Sequence, residues 1–154
     1  MTAADPLPMR PFSASLPMAL LLARESTMRH FRPLLAEHDL TEQQWRVLRA
    51  LASADAPIEV TALADRTALL APSVTRIVAR LVDDGLLRRD AVAGDARRST
   101  LALTAAGQAL VAQIAPKSEA TYAEIEATFG TERLAALLAE LGDLATTLDA
   151  REAL

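Results

Sequence analysis

The spacing of hydrophobic residues divides the chain into helices and short strands. A first helix is predicted from near Ser15 to Glu37, because apolar residues recur there every three, four or eight positions. These residues are Leu16, Leu20, Met28, Phe31 and Leu35. Thr41 and Gln44 then have the spacing of a capping box, which predicts the start of a second helix. The proline-rich residues 1–12 are expected to form a flexible arm ahead of both helices.

The middle of the chain predicts two short helices followed by a β-hairpin. The first short helix spans residues 61–67, and the second is expected to run from Pro72 to about Asp84, with Gly85 as a left-handed cap. The apolar, core-facing stripe of this second helix consists of Val74, Ile77, Val78 and Leu81. Residues 86–92 and 99–103 are predicted to be strands, joined by the glycine-containing loop 93–98. This order is typical of a winged helix-turn-helix domain, which we place at residues 41–103.

Two more helices are predicted after the hairpin. Thr104 is expected to cap the first, which Pro116 breaks or kinks. Thr131 is expected to cap the second, which is rich in Leu and Ala and ends near Leu148. The predicted fold is therefore mainly α with a small β-hairpin.

Composition narrows the classes of function. The chain has no cysteine and only two histidines, so thiol chemistry is excluded and neither a metal site nor a catalytic set is suggested. No glycine-rich phosphate loop is present, and we expect no enzyme activity and no cofactor. No apolar segment reaches the roughly 18 residues of a membrane span, and the N-terminus is unlike a signal peptide. A cytoplasmic protein is expected.

The net charge of −4 conceals an uneven distribution of charge along the chain. Residues 60–100 contain seven Arg against five Asp, a net charge of +2. Residues 117–154 contain three basic against eight acidic residues, a net charge of −5. A basic working surface on an acidic body is compatible with binding to nucleic acid. With only 3% aromatic residues, binding of single strands by base stacking is disfavoured.

The helix that begins at Pro72 is the candidate reader of duplex DNA. Pro72 is itself a candidate contact residue. The others on this helix are Ser73, Thr75, Arg76 and Arg80. A helix fits the major groove, where Arg donates two hydrogen bonds to guanine and hydroxyls reach bases or phosphates. The alternative is that these residues are only the solvated face of an amphipathic helix.

The hairpin supplies a second candidate contact with DNA. Arg97 and Arg98 are predicted at its tip, from where a long cationic side chain can enter a minor groove. Asp95 precedes Arg97 by two positions and is expected to hold the loop and orient that arginine. The alternative is an ordinary solvated turn.

Several of these segments together resemble the multiple-antibiotic-resistance regulator (MarR) family. They are Val60–Ala64, Pro72–Val78, Leu81, Gly85–Arg89, Asp95–Arg97, Leu103–Thr104 and Gly107. The resemblance implies a homodimer that binds a palindromic operator of double-stranded DNA, with residues 13–40 and 104–154 as dimerisation helices. One departure is Ala71, where many relatives have a capping serine; we expect the start of the reading helix to be weaker by about 1 kcal/mol.

The N-terminal third is similar to one branch of that family, the regulators of homoprotocatechuate degradation. The matching segments are Ser15–Pro17, Ala23–Glu25, Phe31–Pro33 and Leu40–Arg49. Members of that branch respond to phenolic acids. The resemblance therefore implies a repressor of an aromatic-compound catabolic operon, released by a small aromatic carboxylic acid. The alternatives are a winged-helix dimer that serves as a protein-interaction module and a DNA-binding protein that ignores ligands.

A candidate effector site follows from the position of Arg24. On a helical wheel this residue lies within about 40° of Leu20, Phe31 and Leu35, so it is predicted to point into the apolar stripe of the first helix. A cation there needs a partner, either the carboxylate of a ligand or an acidic residue of a second subunit.

Four other residues are weaker candidates for contact with an effector. Trp45 walls the pocket or is ordinary core, and His30 bonds a phenolic hydroxyl or is satisfied at an interface. Arg46 and Ser15 complete the candidate set, and each is equally compatible with a solvated position near a helix end.

Overall fold

The structure is a computed structural model that describes residues 9–92 and 94–152, apart from the side chains of residues 95–97 and 151–152. A short 3-10 turn, Phe12–Ala14, precedes the first helix. The α-helices are α1 Leu16–Ala36, α2 Glu42–Ala52, α3 Val60–Thr67, α4 Ala71–Asp83, α5 Ala105–Phe129 and α6 Thr131–Glu152. The strands are β1 Ile58–Glu59, β2 Leu87–Val92 and β3 Asp95–Leu103. The mainly α winged helix-turn-helix fold is confirmed.

Local capping signals in the sequence form as predicted. Thr41 Oγ1 accepts a hydrogen bond from the Gln44 amide (3.1 Å), and the Gln44 side chain accepts one from the Thr41 amide (2.9 Å). Gly85 follows α4 with a φ of +72°, a conformation that glycine adopts without the Cβ penalty. Thr104 Oγ1 accepts from the Gly107 amide (3.1 Å) at the start of α5. These bonds define where α2, α4 and α5 begin or end.

The three strands form one antiparallel sheet in the order β1-β3-β2. The hairpin is tighter than predicted, because β3 begins at Asp95 rather than Ser99 and leaves only positions 93 and 94 between the strands. Val92 pairs with Asp95, whereas its neighbour Ala91 pairs with Ser99. Between these two pairs, β3 contains three more residues than β2. Such an irregularity is a β-bulge, and bulges increase the twist of a hairpin. The prediction of a loop over residues 93–98 is therefore wrong.

A single hydrophobic core fixes the helix-turn-helix against the sheet. Its fully buried residues come from α1, α2, α3, α4, β3 and α5. They include Leu48, Leu63, Val74, Val78, Leu81, Leu101 and Ile114. Because α4 contributes three of these side chains, one of its faces is committed to the core and the opposite face is directed outward.

In the C-terminal helices, a break at Pro116 and the two predicted ends of α6 are not found. Pro116 lies inside α5, which continues to Phe129 without a break, although proline lacks the N–H that would bond the Ala112 carbonyl. Thr131 is the first residue of α6 rather than its cap, and α6 continues past Leu148 to Glu152. α5 and α6 are therefore longer continuous elements than the positions of Pro116 and Leu148 indicated.

The apolar stripe of α1 is buried only in its C-terminal half. Phe31 and Leu35 enter the core, but Leu16 and Leu20, predicted to face inward with them, are exposed. Further exposed leucines lie on the same helix and on α6: Leu21, Leu22, Leu137, Leu138 and Leu148. Throughout the part of the chain that the structure describes, no helix is both long and apolar enough to cross a membrane.

Candidate functional site

The outer face of α4 presents the predicted DNA-contacting side chains to solvent. Because Val74 and Val78 are fully buried and Ile77 packs against the core, Thr75 and Arg76 between them project outward. Pro72, Thr75, Arg76 and Arg80 are exposed and Ser73 is half-buried. The structure therefore brings all five predicted α4 residues to an accessible part of one helix.

The polar side chains of α4 differ in how strongly they are already bonded. Thr75 Oγ1 donates to the Ala71 carbonyl (3.0 Å), and Arg80 Nε is paired with Asp84 (2.9 Å) one turn along the helix. Arg76 has no side-chain hydrogen bond or salt bridge within residues 9–92 and 94–152. Its five N–H donors are therefore available without breaking an existing contact.

The first turn of α4 has no side-chain cap. The cap position is Leu70, not Ala71 as predicted, and the Leu70 side chain is 78% exposed. Ala71 is the first helical residue and Pro72 the second, so the expected position of Pro72 was one residue early. A leucine supplies no acceptor for the backbone amides of the first turn, which keeps this end of the helix electropositive.

Arg98 of the hairpin is not placed as predicted. Arg98 lies within β3 rather than at the tip, and its Nε and Nη2 donate to the two carboxylate oxygens of Glu59 on β1 (Nε to Oε2, 3.1 Å). This bidentate pair lowers the pKa of Glu59 and raises that of Arg98 through the hydrogen bonds. The side chains of Asp95 and Arg97 lie outside the described part of the structure. Arg98 thus ties the hairpin to the edge strand β1.

A small cavity of about 200 Å³ lies where α1, α2 and α5 meet. Its wall holds three of the chain's five aromatic side chains, together with two arginines and one glutamate. The lining residues are Thr27, Met28, Phe31, Glu42, Trp45, Arg46, Arg49 and Tyr122. A wall with aromatic rings and two arginines has the chemistry to contact an aromatic ring that carries an anionic group.

Arg49 and Tyr122 form the polar contact at this cavity. Arg49 Nη1 donates to the Tyr122 hydroxyl (2.7 Å), and the guanidinium carbon lies 5.5 Å from the centre of that ring. The Tyr122 ring in turn packs against Phe31, with ring centres 4.8 Å apart and an angle of 56° between the planes. The three side chains join α1, α2 and α5 around the cavity.

Arg46 connects the cavity to the helix-turn-helix. Its Nη1 donates to the backbone carbonyl of Thr67, the last residue of α3 (3.0 Å). The next residue, Ala68, has a φ of +49°, a left-handed conformation that reverses the chain toward α4. Arg46 therefore links the wall of the cavity to the turn between α3 and α4.

Arg24 is not buried in the apolar stripe as predicted. It is 41% exposed and pairs with Glu25 (2.8 Å) and Glu42 (2.5 Å) of its own chain, and Arg32 bonds the same two carboxylates. The prediction failed because the N-terminal half of α1 is uncovered here and Glu42 lies 18 residues away in sequence. Arg24 therefore touches the cavity only through Glu42, which lines it.

The other predicted effector residues fall into two groups. Trp45 and Arg46 line the cavity, whereas Arg24, around which the pocket was predicted, does not. His30 is exposed and lines a separate groove of about 370 Å³ between α1 and α5. Ser15 occupies the cap position of α1 without a side-chain bond to the helix.

Two central cavity residues, Arg49 and Tyr122, were missed by sequence reasoning. Arg49 follows Trp45 by four positions and so shares its helical face, a spacing that would have indicated it. Tyr122 lies 73 residues from its partner, and no local spacing identifies that contact.

Comparison with known proteins agrees with the fold. A MarR family model matches residues 38–98. The homoprotocatechuate degradative operon repressor of Escherichia coli is 42% identical over 120 residues, which span 78% of this chain and 80% of that protein. The HTH-type transcriptional regulator FarR of Neisseria gonorrhoeae is 36% identical over 144 residues, 94% of this chain and 98% of the relative.

A solved structure extends the similarity to three dimensions. The crystal structure of NadR in complex with 4-hydroxyphenylacetate has a TM-score of 0.78 to this chain at 37% identity, and the match covers 90% of this chain and 98% of NadR. The similarity therefore includes the flanking helices as well as the winged domain. With a matching family model and relatives above 30% identity over most of their length, this chain belongs to the MarR family of DNA-binding transcriptional regulators.

Proposed function

We propose that this protein is a transcriptional repressor that binds a palindromic operator as a homodimer and that a small aromatic carboxylic acid releases it. The observation that carries the proposal is the division of α4 into a face held in the core and a polar face with an unpaired Arg76. Such a helix enters the major groove with its position set by the core behind it. No catalytic role is proposed for any residue.

The homodimer is supported by the exposed leucines of α1 and α6. Isolated exposed leucines need no explanation, but a series of them on two terminal helices is typical of a surface that another chain covers. A two-fold dimer would present two copies of α4, and adjacent major grooves on one side of DNA lie about 34 Å apart. This geometry matches a palindromic operator.

The effector proposal rests on the chemistry of the cavity between α1, α2 and α5. Phe31, Trp45 and Tyr122 suit an aromatic ring, and Arg49 suits a carboxylate once its bond to the Tyr122 hydroxyl is exchanged. The solved relative NadR holds 4-hydroxyphenylacetate, and the Escherichia coli relative is named for a homoprotocatechuate operon. Homoprotocatechuate is 3,4-dihydroxyphenylacetate, so both names point to phenylacetates with ring hydroxyls.

Release from DNA is proposed to occur by a shift between two dimer geometries. A ligand that draws Arg49 toward its carboxylate alters the wall that Arg46 shares, and Arg46 is bonded to the end of α3. The spacing of the two α4 helices then departs from one turn of DNA. The ligand weakens operator binding only by the ratio of its affinities for the two geometries.

Binding of the purified protein to its own upstream DNA tests the proposal. We expect a protected palindrome that is lost on addition of 4-hydroxyphenylacetate or 3,4-dihydroxyphenylacetate. Arg76→Ala should weaken operator binding by roughly 1–3 kcal/mol, and Arg49→Ala should bind the operator normally but resist release by either acid. Arg10→Ala, which removes an exposed arginine ahead of α1, is the charge-matched control and should change neither property.

Each failure has a distinct meaning. A protein that protects no DNA would favour the protein-interaction alternative, and normal operator binding by Arg76→Ala would remove α4 as the reader. Protection that no phenolic acid reverses would leave a ligand-insensitive DNA-binding protein.

A further inference from the structure

A buried hydroxyl beside the effector cavity has no hydrogen-bond partner. Ser118 on α5 is 2% exposed, and its Oγ bonds no group in the part of the chain that the structure describes. Burying a hydroxyl without a partner destabilises the folded state, so the great majority of such groups in proteins are satisfied. An unsatisfied hydroxyl at this position therefore needs a functional explanation.

The hydroxyl also departs from the behaviour of its neighbours. A helical Ser or Thr commonly donates to the carbonyl four residues earlier. Thr121 and Thr128 on the same helix do so, to Lys117 (3.1 Å) and Glu124 (2.8 Å). Ser118 makes no such bond to Ile114, so its donor and its lone pairs remain available to a group that enters from outside the helix.

Ser118 lines a second cavity, of about 190 Å³, that adjoins the first. Its wall includes Trp45 and Arg49, which also line the effector cavity, and Ser53 near the end of α2. Ser118 lies one helical turn before Tyr122 on α5, so the two residues share a face. The two cavities are therefore separated by the side chains of Trp45 and Arg49.

Movement of Arg49 would join the two cavities into one site. Neither cavity alone reaches the roughly 300–1,000 Å³ of an ordinary small-molecule site, but together they do. The bond from Arg49 to Tyr122 is the one that a ligand carboxylate would replace. A ring held beside Trp45 would then extend toward Ser118.

We propose that Ser118 is a specificity-determining residue that binds a second ring hydroxyl on the effector. This inference rests on the proposed function, because it assumes that an aromatic acid occupies the cavity. It assigns the ligand class more narrowly, to phenylacetates with two adjacent ring hydroxyls. A ligand with one hydroxyl leaves Ser118 unpaired, and a site that contains an unpaired buried group discriminates against such a ligand.

Calorimetric titration of the full-length protein with two acids tests the inference. The wild type is expected to bind 3,4-dihydroxyphenylacetate about tenfold more tightly than 4-hydroxyphenylacetate, the ratio that one neutral hydrogen bond supplies. Ser118→Ala should reduce the ratio to about one by weakening only the dihydroxy acid. Ser53→Ala is the matched control, because Ser53 lines the same cavity but its hydroxyl already donates to the Ala50 carbonyl (3.1 Å).

The thermal stability of the ligand-free variants provides a second readout. Removal of an unsatisfied hydroxyl should leave the Tm of Ser118→Ala unchanged or higher, whereas a hydroxyl bonded to an internal water would give a lower Tm. A wild type without preference between the acids, or an equal loss for both acids in Ser118→Ala, overturns the role of Ser118 while the proposed function stands. If neither acid binds the wild type, the effector proposal itself fails and the inference fails with it.

Discussion

Glu42 is the residue at which the charged cluster, the cavity and the start of α2 meet. Its carboxylate accepts hydrogen bonds from Arg24 and Arg32 and lines the cavity. Burial raises the pKa of Glu42, but the hydrogen bonds from Arg32 and Arg24 outweigh burial and hold the pKa below its usual value of 4.5. Its position in the first turn of α2 also suits a negative charge. The folded protein therefore favours the ionised form.

This preference predicts how stability depends on pH. Because the folded pKa of Glu42 lies below the unfolded value, its contribution is complete above about pH 4.5 and is lost as the pH falls through the folded value. Glu42→Gln should lower stability at pH 7 by about 1 kcal/mol, or roughly 2–4 °C in Tm, and flatten the decline of Tm below pH 4.5. Thermal unfolding followed by circular dichroism between pH 3 and 7 measures both effects.

The matched control for this prediction is Glu140→Gln on α6. Glu140 is exposed and has no salt bridge within the described ranges, so the decline of Tm with acid should match that of the wild type. An acid dependence as steep in Glu42→Gln as in the unaltered protein would show that the Arg24–Glu42–Arg32 contacts contribute nothing.

At the same scale, the sequence predicted residues whose partners are local and missed those whose partners are distant. Thr41 and Gly85 were identified because their partners lie within a few positions along the chain. The bond between Arg98 and Glu59 joins residues 39 positions apart, and no helical or strand period encodes it. The candidate residues of α4 followed from periodicity alone, whereas the cavity required knowledge of how α1, α2 and α5 pack.

At the scale of elements, the first turn of α5 packs closely against the backbone of Leu86, just before β2. Gly107 is buried in the first turn of α5, and a Cβ there would lie 2.2 Å from the backbone oxygen of Leu86 and 3.2 Å from the Leu103 side chain. Leu86 precedes β2, and its carbonyl also accepts a hydrogen bond from the Thr104 amide (3.1 Å). The glycine thus sets how closely α5 approaches the start of the hairpin.

We predict that Gly107→Ala destabilises the protein, although alanine favours helices. The backbone atom at 2.2 Å cannot rotate away, so α5 must shift, at a cost of about 1–3 kcal/mol or more. Gly142→Ala in α6 is the matched control, since no described atom lies within 4 Å of its added Cβ, and it should raise stability by up to about 1 kcal/mol. Chemical denaturation of the two variants gives the comparison, and equal stability for both would contradict the close contact.

The errors in the predicted elements have a common physical cause. The charged and glycine-containing run 93–98 reads as a loop, but pairing of Asp95 with Val92 extends β3 through most of it. Pro116 reads as a helix break, yet α5 runs through it, because packing of the residues on either side outweighs one lost backbone bond. In both cases tertiary contacts override a correct local preference.

At the scale of the whole molecule, the exposed leucines concentrate on α1 and α6, whereas the acidic charge concentrates on α5 and α6. α6 has no buried side chain along residues 131–150. This is unusual for a helix in a monomer, because such a helix normally buries one apolar face against the core. The basic residues lie instead in the winged domain, where residues 60–100 have a net charge of +2. Two copies joined through α1 and α6 would therefore keep their acidic ends together and direct two basic faces toward DNA.

This arrangement predicts that dimerisation and operator binding are lost together. Leu138 on α6 is 61% exposed, so Leu138→Glu should leave the protomer folded while a charge buried at the interface opposes association. Light scattering should give about twice 16.5 kDa for the wild type and for Leu70→Ser, an exposed leucine outside α1 and α6, but about 16.5 kDa for Leu138→Glu. A monomer reads one half-site and neutralises half as many phosphates, so the slope of log affinity against log salt should also fall by about half. A Leu138→Glu protein that remains dimeric would exclude α6 from the interface, and a monomer with the affinity and salt slope of the wild type would show that a single protomer reads the operator.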